Sequence, residues 1–153
     1  MTRTKFIEEA AKYIILAVKL NEKARKKGIP SLENELEDLD DEDLKYALRR
    51  VVDGVAPKPI DEILSNRIAF EKDEYTRRYK TILKRAALGI QEGLNSHTLF
   101  HVLVSYAGLT PAEEKVIERV FPKRDFVFEY EEGEWKDGKF VRKRKLQAPD
   151  TEE

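Results

Sequence analysis

Cysteine is absent from the sequence, which excludes a disulfide frame, a thiol nucleophile and a thiolate metal site. Long apolar runs are missing as well. The longest, Tyr13 to Val18, lies between Lys12 and Lys19, far below the roughly 18 residues that would cross a bilayer. Neither charge dominates: 29 Lys and Arg face 30 Asp and Glu, for a net charge of -1. Such a balance provides no global field for nucleic acid or anionic lipid. The glycines build no phosphate loop, and there is no Gly-x-Ser-x-Gly elbow or His-Glu-x-x-His motif. The sequence therefore offers no catalytic residues, and no cofactor is expected. The opening Met-Thr-Arg-Thr-Lys runs into Glu8 and Glu9, unlike a signal peptide. The expectation is a soluble, cytoplasmic chain.

At 153 residues, the chain suits one domain with an appendage. Its 41% hydrophobic content can build a core, and its 39% charged content implies a densely charged surface. Many Lys and Glu with few thermolabile residues hint at a thermophilic source.

Helical spacing dominates up to Pro122. Ile7, Ala11, Ile14 and Val18 recur on one face of a helix from about Lys5 to Lys27. Lys26 and Lys27 suit its C-terminal dipole, Gly28 its left-handed cap, and Pro30 forbids continuation. Ser31 can cap a short second helix with Glu33 in its first turn. Asp40 or Asp41 starts a third helix, carrying Leu44, Leu48, Val51 and Val52, which Gly54 ends.

Pro57 and Pro59 open the longest pattern, which runs through Ile60, Leu64, Ile68, Phe70, Tyr75, Tyr79 and Ile82 to about Gly93. It reads as one long helix that projects from the domain, or as a join of two. Asn95 or Ser96 caps the next helix, closed by Gly108. Thr110-Pro111-Ala112-Glu113 forms a capping box. Beyond Pro122 the period becomes two, and Lys136-Asp137-Gly138-Lys139 between Trp135 and Phe140 signals a tight hairpin. The expected fold is mostly α: a multi-helix domain over 1–122 with one long helix, a small C-terminal β-hairpin over 123–147, and a disordered tail over 148–153.

Several constellations invite chemistry. His97 and His101 stand at i and i+4, a zinc-compatible spacing, but no Cys or evident carboxylate completes the set, so no metal is expected. Asp61, Glu62, Glu71, Asp73 and Glu74 mix with Arg67, Arg77 and Arg78, the pattern of a solvated helix face. The basic strip Val141 to Lys145, beside Trp135 and Phe140, reads as a surface that touches phosphate groups or as a strand edge guarded by lysines, with the edge favoured. Arg25 and Glu33, across the Gly28/Pro30 break, are a cation in a last turn and an anion in a first turn, each favoured by the helix dipole.

Two blocks of sequence resemble the cytoplasmic part of the MotA family of flagellar stator subunits. The first, about Phe6 to Tyr75, holds Ala24-Arg25-Lys26-Lys27-Gly28 and Ser31-Leu32-Glu33, then Leu48 to Gly54, then Ile60 to Leu64. It is similar to the loop between the family's second and third membrane helices. The second, about Ile82 to Leu109, holds Gly89-Ile90-Gln91-Glu92-Gly93-Leu94-Asn95 and resembles the tail after the fourth. Nothing corresponds to the two membrane helices that would separate them. The resulting junction falls within Glu71 to Thr81, fitting either two joined cytoplasmic pieces or a relative without membrane helices.

The resemblance implies a non-enzymatic, torque-transmitting domain that binds the rotor protein FliG through Arg25, Glu33, Lys26 and Lys27. Full-length family members also pair with MotB and sit in the bacterial inner membrane. The competing expectation is a soluble helical adaptor unrelated to motility.

Overall fold

The computed structural model describes residues 1–120, 133–136 and 139–142, with the side chains of Glu118, Val120 and the 133–142 pieces left aside. The described chain is mostly α. Its helices are α1 (Arg3–Lys27), α2 (Glu33–Leu36), α3 (Glu42–Val52), α4 (Pro57–Ala69), α5 (Glu74–Glu92), α6 (Ser96–Tyr106) and α7 (Pro111–Val120). A 3-10 turn, Ile29–Leu32, joins α1 to α2. Two short strands, β1 (Gly133–Lys136) and β2 (Lys139–Arg142), pair antiparallel with Trp135 opposite Phe140. The expected Asp137-Gly138 turn and the tail from 148 lie outside the described residues.

Sequence chemistry explains most helix ends. Thr2 Oγ1 accepts from Lys5 N to start α1, and Gly28 ends it with a positive φ of 90° but an extended ψ of 153°, not the left-handed cap expected. Asp41 caps α3 by accepting from Leu44 N. Asn95 caps α6 through His97 N and Thr98 N. The capping box at α7 is reciprocal: Thr110 N donates to Glu113 Oε1 at 2.9 Å and Glu113 N to Thr110 Oγ1 at 3.2 Å.

Two further expectations are corrected. Of the two readings of the long pattern, the single helix is not formed and the join of two is: the stretch from Pro57 to Gly93 breaks at Phe70–Asp73 into α4 and α5. Asp73 is the physical cause: its carboxylate accepts from Thr76 N at 2.8 Å and from Thr76 Oγ1 at 2.7 Å, starting a new helix. Ser31 does not cap α2, because its hydroxyl donates backwards to Gly28 O at 2.6 Å inside the 3-10 turn.

Helix α5 is the hub, packed against α1, α3, α4 and α6. Its apolar stripe of Tyr79, Ile82, Leu83, Ala86, Ala87 and Ile90 is buried against Phe6, Ile14, Leu48, Ile60 and Leu99. Phe6 stacks on Tyr75 at 5.3 Å and Tyr13 meets Tyr79 edge-on at 5.8 Å. The α1 and α5 helices run parallel. At their starts, Arg3 Nη1 donates to Tyr75 Oη at 3.4 Å; at their ends, Arg25 Nη1 donates to Gly93 O at 2.5 Å. Helix α4 runs antiparallel to α5, since Asp61 meets Lys84 and Glu71 meets Lys80, both at 2.7 Å.

Candidate functional site

The helix directions gather the candidate charges at one pole. The ends of α1, α3 and α5 meet there with the 3-10 turn and α2. Gln91 Nε2 donates to Val55 O at 2.6 Å, tying the end of α5 to the segment after α3. The opposite pole holds the start of α1 and the α4–α5 corner, where the Met1 amino group lies 3.4 Å from Asp73. The poles are separated by the length of α1, whose 25 residues span roughly 37 Å.

Arg25, Lys26, Lys27 and Glu33 all lie on the exposed surface of the first pole. Arg25 and Glu33 do not face each other. Arg25 donates to the Gly93 carbonyl, at the negative end of the α5 dipole. Glu33 is gripped by Arg49 at the end of α3, with Nη1 to Oε1 at 3.0 Å and Nη2 to Oε2 at 3.1 Å. This two-pronged contact holds the Glu33 carboxyl below its usual range. It also raises the Arg49 guanidinium, which lies 3.7 Å from Asp53 Oδ1 as well. Lys26 Nζ is 4.0 Å from Glu22 Oε1.

Beneath these charges is a buried polar cluster that sequence reasoning missed. Asn21, Glu22 and Ser96 are 0%, 5% and 1% exposed. Asn21 Nδ2 donates to Leu94 O at 2.7 Å and to Ser96 Oγ at 3.2 Å, and Ser96 Oγ donates to Glu22 Oε2 at 2.6 Å. The signal was available: Asn21 follows Val18 and Ala17 at helical spacing, on the apolar face of α1. The cluster bonds the α5–α6 corner to the end of α1 that carries Arg25.

The other candidates do not assemble into a site. His97 and His101 are exposed, and His101 stands edge-on to Phe100. No group of three metal-ligating side chains occurs among the described residues. The acidic residues of the α4–α5 region are engaged structurally: Asp61 with Lys84 and Ser65, Glu71 with Lys80, Glu74 with Arg78. Of the basic strip, Val141 and Arg142 belong to β2; Lys143 to Lys145 lie outside the described residues. No described helix is long and apolar enough to cross a membrane.

Comparison with known proteins supports a relationship to the MotA family. Motility protein A of Borreliella burgdorferi is 40% identical over 67 residues, 44% of this chain and 24% of that protein. Motility protein A of Treponema phagedenis is 36% identical over 58 residues, 38% of this chain and 22% of that protein. The matched region thus spans about a quarter of the length of these relatives. No protein-family model matches the chain.

Proposed function

We propose, from the kinship with motility protein A, that this chain is the rotor-contacting cytoplasmic domain of a flagellar stator subunit. It acts without enzymatic chemistry and binds the C-terminal domain of FliG through exposed charges. The observation that carries this reading is polar segregation. Arg25, Lys26, Lys27 and Glu33 crowd one pole, while the start of α1 and the α4–α5 corner occupy the other. In a full-length subunit, membrane helices joined at that corner would turn the charges away from the inner membrane. MotB pairing would belong to those membrane helices. Opposed exposed charges give fast, orientable and weak contacts, which suits a partner that steps and releases.

The test is the affinity of the FliG C-terminal domain for Arg25→Glu and Glu33→Lys, at low and moderate salt, with a melting curve for each variant. Both side chains are exposed at helix ends, so each reversal disturbs a dipole interaction and one surface contact, that of Arg25 with the Gly93 carbonyl or that of Glu33 with Arg49, and both variants stay folded. Binding falls roughly tenfold or more, a loss that the melting curves separate from any loss of folding. Arg77 serves as a control at the opposite pole, where its guanidinium donates to Glu71 O and Lys72 O. Reversing it leaves affinity unchanged. Folded variants at both Arg25 and Glu33 that bind as well as the parent would refute the proposal.

A further inference from the structure

The Glu33–Arg49 pair is asymmetric in what each partner has in reserve. Among the described residues, Glu33 forms its ion pair with Arg49 alone. Arg49 has alternatives: Asp53 Oδ1 is already 3.7 Å from its Nη1, and Glu37 contributes a further negative charge nearby. If Glu33 is drawn off, Arg49 keeps an anion at hand. Removal of Arg49 leaves Glu33 without an ion-pair partner among the described residues. The exposures point the same way, since the Glu33 side chain is 54% exposed and that of Arg49 is 33%. The carboxylate is the more exposed partner, and the guanidinium sits between Glu33 and Asp53.

Arg49 also presents the geometry that an incoming cation would need to reproduce. Its two parallel N–H···O contacts occupy both Glu33 oxygens and fix the carboxylate plane. A lysine on a partner could take one oxygen, whereas an arginine could replace the whole fork.

We infer that Arg49 is a built-in competitor for Glu33: it occupies the carboxylate in the free protein and yields to an arginine or lysine of the docking partner, passing to Asp53. This rests on the rotor-contact reading and adds its regulation. Exchanging one ion pair for another costs less than breaking one, so association stays fast. The waiting competitor also opposes rebinding, because a vacated Glu33 is recaptured within the same molecule.

The experiment uses the full chain and the purified FliG C-terminal domain, titrated by calorimetry at fixed salt. Arg49→Gln tightens binding about two- to fivefold, the range for an exposed ion pair. Arg49→Lys restores near-parental affinity. The gain disappears when Arg49→Gln is placed on a Glu33→Gln background, a result that a merely structural role for Arg49 would not produce. Asp53→Asn, which removes the fallback anion, weakens binding roughly twofold by the same measure; this variant carries the test if Arg49→Gln fails to fold. Unchanged or weaker binding by folded Arg49→Gln, with Glu33→Lys still defective, overturns the competitor and leaves the rotor-contact reading standing. No defect in folded Glu33→Lys overturns the competitor, and together with an equally silent folded Arg25→Glu it overturns the rotor-contact reading as well.

Discussion

Tyr79 donates its hydroxyl to Asp41 Oδ2 at 2.6 Å, while the other oxygen of the same carboxylate accepts from Leu44 N at 2.9 Å. One side chain therefore starts α3 and bolts it to the second turn of α5. Burial pushes the Tyr79 phenol far up, and the Asp41 contact adds to the shift. Tyr13, edge-on to the Tyr79 ring, is raised too, again mainly by burial.

This arrangement sets an alkaline limit. Unfolded tyrosine loses its proton near pH 10, while folded Tyr79 keeps it. Above that pH the unfolded chain binds fewer protons, so stability falls as pH rises. Tyr79→Phe lowers neutral stability by about 1.5–3 kcal/mol, because the Asp41 carboxylate loses a buried donor. It also flattens the decline above pH 10. Urea unfolding of both proteins between pH 7 and 11 measures the two effects.

Gly89 is a glycine in the interior of α5 where alanine would ordinarily help. A Cβ there would lie 2.5 Å from Leu99 Cδ1, and Leu99 is fully buried. The usual gain of about 0.5–1 kcal/mol for Gly to Ala in a helix is opposed by overpacking worth about 1–3 kcal/mol. Gly89→Ala therefore lowers the melting temperature. Adding Leu99→Ala reduces the penalty of the second substitution below the sum of the singles, because both act on one contact. Thermal melts of the two single variants and the double variant provide the check.

Glu113 controls the docking of α7 in acid. The Arg3 guanidinium, foremost, and the Thr110 backbone N–H hold its carboxyl at about 2, from a usual value of 4.5. Its folded pKa is depressed, so the stabilisation is present above pH 4.5 and is lost as pH falls towards 2. Protection of the α7 amides, taken relative to intrinsic exchange at each pH, falls over that window, ahead of protection in α5. Glu113→Gln is less protected in α7 at neutral pH and loses little further protection on acidification. Parallel exchange profiles of both proteins from pH 6 to 2.5 decide it.

The helix ends that were legible in the sequence are those where local chemistry acts alone. Gly28 and Pro30 end α1 where expected, and the Thr110–Glu113 box starts α7. The corner at Phe70–Asp73 was open as a join of two helices but not located, because apolar spacing runs straight through Ile68, Phe70 and Tyr75. Phe70 proves 86% exposed, so it is no part of the buried stripe that the spacing suggested. The short-range cap signal, Asp73 with Thr76, outweighed the periodicity. At the candidate site the charges were visible but their partners were not. Arg49 lies 16 positions from Glu33, and Gly93 lies 68 from Arg25. Contacts at that separation are set by how α1, α3 and α5 pack, which no local pattern encodes.

The break between α4 and α5 has a topological consequence. Each helix there is finished on its own account. Phe70 N and Glu71 N bond back to Arg67 O and Ile68 O, and Asp73 supplies the first turn of α5. The Lys80 ammonium lies 2.7 Å from Glu71, drawing the two ends together. Opening the peptide bonds between Glu71 and Asp73 would therefore orphan no helical hydrogen bond. A segment of almost any length can enter and leave at this point, since the entropy of a longer excursion grows only logarithmically. The corner is a point where the chain can lengthen without taking a hydrogen bond from either helix.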